Sequence, residues 1–268
     1  MRAILLALGA ATLVGVGAVR AYVNQVGPTG IPRVARSPWL RTQPIFLYPA
    51  QGLAAPPRAY IFFLGNDVGF WTAHRALSWR LSLEGYAIAG LDIRPILDSL
   101  PQSRAEREQA FRARTTRLLA TARHELGADS TPVLIAGHSL GAELAIVLAS
   151  EAIPRLVGVV AMSPGGRSHL EISPSDVLTS SDPTGPESFA ISEALRRIPE
   201  PVRVAIVRGS GDGLRRVDDS LLASYRPPVR RFIVMLAGHS LKSVALSGPV
   251  VDGAIDWLLS PEGDRHHR

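Results

Sequence analysis

Short apolar runs alternate along this chain with longer stretches in which apolar and polar residues mix at helical spacing. The runs are Ile45–Tyr48, Ala59–Leu64, Tyr86–Leu91, Val133–Ala136, Leu156–Met162, Val202–Val207 and Arg231–Leu236. Most are too short for helices and lack a polar residue at every second position, which predicts strands covered on both faces. Between them, Thr72–Leu83, Ser103–Leu126, Ala142–Ala149 and Val244–Leu259 carry helical spacing. Strands that alternate with helices predict an α/β domain, a mostly parallel central sheet with helices on both faces. A chain of 268 residues suffices for one such domain with a real core.

Other segments break the rhythm. Met1–Val23 starts with Arg2 and continues as a run of small and apolar residues from Ala3 to Val19, followed by the small-residue cleavage pattern Val19-Arg20-Ala21. It reads as a signal peptide or a membrane anchor, slightly short of the roughly 20 residues of a span. Either reading places the remainder outside the cytoplasm, periplasmic or anchored to the membrane by residues 3–23. Residues 24–57, rich in Pro and Gly, read as a linker with one short strand at Ile45–Tyr48. The domain is expected over residues 58–260. Within it, residues 163–199 hold many Ser, Pro, Gly and Asp and read as a cap-like insertion. Residues 261–268 form a polar tail.

Composition narrows the chemistry. There is no cysteine, which excludes disulfides, thiolate catalysis and Cys-ligated zinc. Net charge is +6, and 28 of the 29 basic residues are arginine. No basic block is interleaved with aromatics, so nucleic acid is not an expected partner. The basic balance fits attraction to an anionic membrane surface. The arginine-rich stretch Ser103–Leu126 reads as a solvated, salt-bridged helix face.

Gly137-His138-Ser139-Leu140-Gly141 stands between a strand run and a helix run. A serine at a sharp strand-to-helix turn needs small residues two positions to either side, and its hydroxyl is left exposed above the sheet. Asp212 and His239 each follow a later strand, so all three fall at the carboxyl edge of one parallel sheet, where such sheets carry their sites. A serine hydroxyl needs a base to take its proton. An imidazole can do so near neutral pH, and a carboxylate fixes its tautomer and stabilises its cation. Ser139, Asp212 and His239 are therefore the candidate catalytic residues. Asp182 is a rival acid in the insertion, and Asp218 and Asp219 are rivals that read as helix-surface acids. His138 reads as a packing residue beside the serine. His74, His124 and His169 lack ligand spacing, so neither a metal nor another cofactor is expected. The Leu140 amide can donate to an oxyanion, and a second amide is expected from residues 65–67, with Asn66 the leading choice.

With these residues in view the chain resembles an α/β-hydrolase and, more narrowly, the bacterial virulence protein VirJ/AcvB family. The resemblance runs from about Tyr60 to Leu259. It rests on Phe63-Leu64-Gly65-Asn66-Asp67-Val68-Gly69-Phe70-Trp71, the Gly137–Gly141 motif, Arg167-Ser168-His169-Leu170-Glu171-Ile172, Gly211-Asp212-Gly213-Leu214 and Ala237-Gly238-His239-Ser240. It implies an exported serine hydrolase with Ser139 as nucleophile, Asp212 as orienting acid and His239 as base. It also implies a small-molecule or lipid ester substrate, of which an aminoacyl-phospholipid is one type. The early loop is longer than the compact S-G-D-G-G-W of that family. A cationic aminoacyl group would want acidic neighbours, for which Asp67, Glu143 and Glu171 are the candidates. Glu143 also reads as a first-turn helix acid. A generic carboxylesterase or lipase, and a non-catalytic envelope binding protein on the same fold, are the alternatives.

Overall fold

Described in the computed structural model are residues 27–52, 56–172, 182–224, 228–242 and 244–260. The expected signal or anchor at 1–23, the tail at 261–268 and residues 173–181 of the insertion lie outside them.

In chain order the strands are β1 (Ile45–Tyr48), β2 (Tyr60–Leu64), β3 (Ala87–Leu91), β4 (Val133–His138), β5 (Leu156–Met162), β6 (Arg167–Ser168), β7 (Phe189–Ala190), β8 (Arg203–Gly209) and β9 (Val229–Val234). Seven of them form one sheet in the order β1-β3-β2-β4-β5-β8-β9, while β6 and β7 pair as a separate ribbon in the insertion. Only β1 runs antiparallel in the large sheet. The unbroken apolar character of β2, β3 and β4 follows from their position: every residue in them is buried.

The helices are α1 (Pro38–Arg41), α2 (Thr72–Leu83), α3 (Arg94–Asp98), α4 (Arg104–Glu125), α5 (Leu140–Leu148), α6 (Ile191–Arg196), α7 (Val217–Ser224) and α8 (Val244–Leu259). Alternate side chains of β2 divide the core in two. Tyr60, Phe62 and Leu64 pack with Phe111 and Leu118 of α4 and Leu144 of α5. Ile61 and Phe63 pack on the other face with Leu77 of α2 and Ile255 of α8. Among the described residues no helix is long and apolar enough to cross a membrane.

Three expectations need correction. The stretch read as a linker is partly docked: Leu40 is buried, and Glu125 at the end of α4 accepts from the backbone of Arg36 and Ser37 at 2.7 and 3.2 Å and from the Arg33 guanidinium at 3.2 Å. Its prolines and glycines limit regular structure to the short α1 and β1 without preventing such contacts. The last strand ends at Val234, two residues before the end of its apolar run. Met235 and Leu236 turn out into solvent, with Leu236 at φ 61°. Third, the basic face of α4 is partly internal. Arg123 is buried and donates to the carbonyls of Ala128, Asp129, Thr131 and Pro154, tying the end of α4 to the start of β4.

Candidate active site

β4 delivers Ser139 at the carboxyl edge of the sheet and α5 starts immediately behind it. The serine has φ 53° and ψ −123°, a left-handed backbone that few non-glycine residues adopt. Its own amide donates to Met162 O at 2.8 Å, which fixes the turn to β5. The flanking glycines are explained by contact. A Cβ on Gly137 would overlap the Gly141 carbonyl, and one on Gly141 would overlap the Gly65 carbonyl at the end of β2. Leu140 is the first residue of α5, so its N–H lies among the donors that a helix leaves unpaired at its start.

Two further loops bring the partners. His239 Nε2 lies 2.9 Å from Ser139 Oγ, and His239 Nδ1 lies 3.1 and 3.2 Å from the two oxygens of Asp212. The loops are stitched to one another: Gly211 N donates to Ala237 O at 2.9 Å and Leu236 N donates to Ser210 Oγ at 3.0 Å. Burial alone would raise the Asp212 pKa. Hydrogen bonds from His239, from Arg208 and from the Leu214 amide outweigh that and hold its carboxyl well below the usual range. Asp212 is thus ionised at neutral pH.

Arg208, at the end of β8, is a partner that the sequence reading did not assign. Its side chain is fully buried and donates to Asp212 at 2.8 Å, to Asp218 at 2.5 Å and to Pro164 O at 2.6 Å. The available signal was an arginine closing the apolar run Val204–Val207, since an unpaired charge is rarely tolerated in a buried strand. Asp218 is accordingly not a surface acid but a fully buried ion-pair partner. Asp219 does lie outside and pairs with Arg231 at 2.9 Å. Asp182 accepts from the Gly166 amide at 2.8 Å within the insertion.

Behind Ser139, His138 is buried and packs as expected, yet it also bonds. Its Nε2 lies 3.0 Å from the His239 carbonyl and its Nδ1 lies 3.0 Å from His74 Nε2. Burial lowers the His138 pKa to about 4, outweighing the hydrogen bond to the His239 carbonyl, which raises it.

The remaining candidates are placed as follows. The Asn66 amide already donates to Gly69 O at 3.3 Å, within a tight turn returned by Gly69 N to Asn66 O at 2.8 Å, and the Gly65 amide donates to Leu91 O at 2.9 Å. An oxyanion donor drawn from these two would have to leave its present acceptor. Asp67 is partly exposed in the same turn. Glu143 is buried and its Oε1 accepts from the Gly165 amide at 2.8 Å, clamping the insertion onto α5. Glu171 pairs with Arg107 of α4 at 3.0 Å. Among the described residues no group of three or more metal-ligating side chains occurs.

No family model matches the sequence, and no curated protein matches it. Solved structures do match in shape. A soluble variant of monoglyceride lipase from Saccharomyces cerevisiae superposes with a TM-score of 0.57 at 14% identity, covering 80% of this chain and 90% of that one. Est1E from Butyrivibrio proteoclasticus gives 0.56 at 12%, covering 81% and 94%. A monoacylglycerol lipase from Paleococcus ferrophilus gives 0.51 at 15%, covering 80% and 97%. Identities this low speak for architecture alone. Together with the strand order and the Ser139 turn they show that the chain has the α/β-hydrolase fold, the fold of serine esterases and lipases.

Proposed function

We propose that this chain is a serine hydrolase of ester bonds, with Ser139 as nucleophile, His239 as general base and Asp212 as the acid that orients it. The observation that carries the reading is the continuous hydrogen-bonded path from Ser139 Oγ through His239 to Asp212, at 2.9 and 3.1 Å. As Ser139 Oγ attacks the ester carbonyl, its proton passes to His239 Nε2. Asp212 stabilises the resulting imidazolium, and the oxyanion meets the start of α5 at the Leu140 amide. His239 then returns the proton to the departing alcohol, leaving an acyl-serine. Water, deprotonated by His239, cleaves that intermediate and restores Ser139.

The finer reading is an exported member of the VirJ/AcvB family, periplasmic or anchored by residues 3–23, acting on a lipid ester such as an aminoacyl-phospholipid. Its support is the apolar N-terminal run, the motifs quoted above and the basic composition. Structural neighbours named as lipases for monoacylated glycerol lend weight to a lipid ester. The engagement of Glu143 with Gly165 and of Glu171 with Arg107 favours a plainer variant, a carboxylesterase or lipase with no aminoacyl preference.

Intact mass after fluorophosphonate treatment tests the core of the reading. One adduct on wild type and none on Ser139→Ala is the expected result. A folded wild type that never labels, beside a control hydrolase that does, would leave a non-catalytic binding protein. Comparing hydrolysis of short acyl esters with that of aminoacyl-phospholipid vesicles then separates the two substrate readings.

A further inference from the structure

Arg208 stands between two carboxylates, and only one of them reaches the histidine. One guanidinium nitrogen donates to Asp212 Oδ2 at 2.8 Å, while the other side holds Asp218 at 2.5 to 3.2 Å. The side chains of Arg208, Asp212 and Asp218 are all fully buried, so solvent and salt screen them little. Their charges sum to one net negative, which a protonated His239 would cancel. Without Asp218, Arg208 and Asp212 would neutralise one another, and the imidazolium would have to form beside a neutral pair.

We propose that Asp218 is a positioning residue of the relay: it takes up the charge of Arg208, leaves that of Asp212 to His239, and so sets the pH range over which His239 accepts the Ser139 proton. The proposal rests on reading Ser139 and His239 as nucleophile and base. Among the described residues the His239 ring meets Asp212 on one side and His138 on the other. The His138 ring centre is 6.0 Å from that of His239, with His74 behind it, and His138 stays neutral above about pH 4. Lys242 is exposed farther along the His239 loop.

The test measures the rate of fluorophosphonate labelling of Ser139 across the pH range in wild type, Asp218→Asn, Asp219→Asn and Arg208→Gln/Asp218→Asn. Asn keeps the shape of Asp218 and can still accept from Arg208, so charge is what changes. In Asp218→Asn the acidic limb is expected to move about one unit to lower pH, with the plateau rate about tenfold lower. Asp219→Asn, on the same helix but exposed, should superpose on wild type. The double variant restores one net negative charge and should bring the limb back towards wild type. If Asp218→Asn does not fold, Arg208→Gln reads the same balance from the other side, and its limb should move to higher pH. A folded Asp218→Asn protein with an unshifted limb and only a lower melting temperature would overturn the proposal, as would an unshifted limb in Arg208→Gln. Ring ¹⁵N titration of His239 by NMR reads the same charge without labelling. If folded wild type never labels, the assignment of Ser139 fails, and the NMR shift alone decides whether Asp218 acts on His239.

Discussion

His138 donates from Nε2 to the backbone carbonyl of His239 across 3.0 Å, so the residue before Ser139 holds the loop that carries its histidine partner. The direction follows because a carbonyl can only accept. In the neutral ring His138 Nδ1 is then an acceptor, and His74 Nε2–H supplies the proton at 3.0 Å.

This pairing predicts a stability change in mild acid. The folded pKa of His138, about 4, lies below the ordinary value of 6.5, and burial also lowers that of His74. The unfolded chain therefore binds more protons between those values. Stability is fully present above pH 6.5 and is lost as pH falls towards 4, by about 3 kcal/mol for His138. The contribution of Asp212, whose folded pKa is depressed, is lost only below that window. Urea unfolding at pH 7 and 4.5 checks this, and His138→Gln should show a shallower dependence.

Replacing the base should separate chemistry from folding. His239→Gln is expected to slow fluorophosphonate labelling of Ser139 by about 10²- to 10⁴-fold. Its melting temperature should stay near wild type, because the His239 side chain is partly exposed. An unchanged labelling rate would remove His239 from the relay.

Crowding at the Ser139 turn predicts that Gly141→Ala destabilises the protein by about 1–3 kcal/mol in urea unfolding. The added methyl meets the carbonyls of Leu64 and Gly65, backbone atoms that cannot rotate away. A variant as stable as wild type would mean that β2 and α5 approach less closely than described.

Glu125→Ala should also destabilise, by about 0.5–1.5 kcal/mol, because the partly exposed Arg36 and Ser37 amides exchange their acceptor for water. Labelling of Ser139 should proceed at the wild-type rate. Chemical denaturation and labelling on the same sample decide both points.

What could be read from the sequence was local. The Ser139 turn was legible because its requirements fall within five residues, and β2, β3 and β4 because burial on both faces leaves their apolar runs Tyr60–Leu64, Ala87–Leu91 and Val133–Ala136 unbroken by polar residues. Asp212 was legible as the acid because it follows a strand run in a Gly-Asp-Gly turn, whereas Asp218 and Asp219 read alike as helix-surface acids; only the placement of β8 against α7 shows that Asp218 faces Arg208 while Asp219 faces Arg231. The docking of Arg33 on Glu125 was hidden for a similar reason, since the two are 92 residues apart. The end of β9 was misplaced because Met235 and Leu236 continue its apolar run after the chain has left the sheet.

Ser139 and His239 meet although they lie 100 positions apart, after strands β4 and β9, which β5 and β8 separate in the sheet. No contiguous fragment of the chain can therefore bring the serine and its histidine together before those two central strands have docked. During refolding, recovery of labelling should lag behind helix formation and coincide with completion of the sheet, because a contact of such long range must overcome a large loop-closure entropy. Reactivity at Ser139 thus serves as a clock for the last stage of assembly.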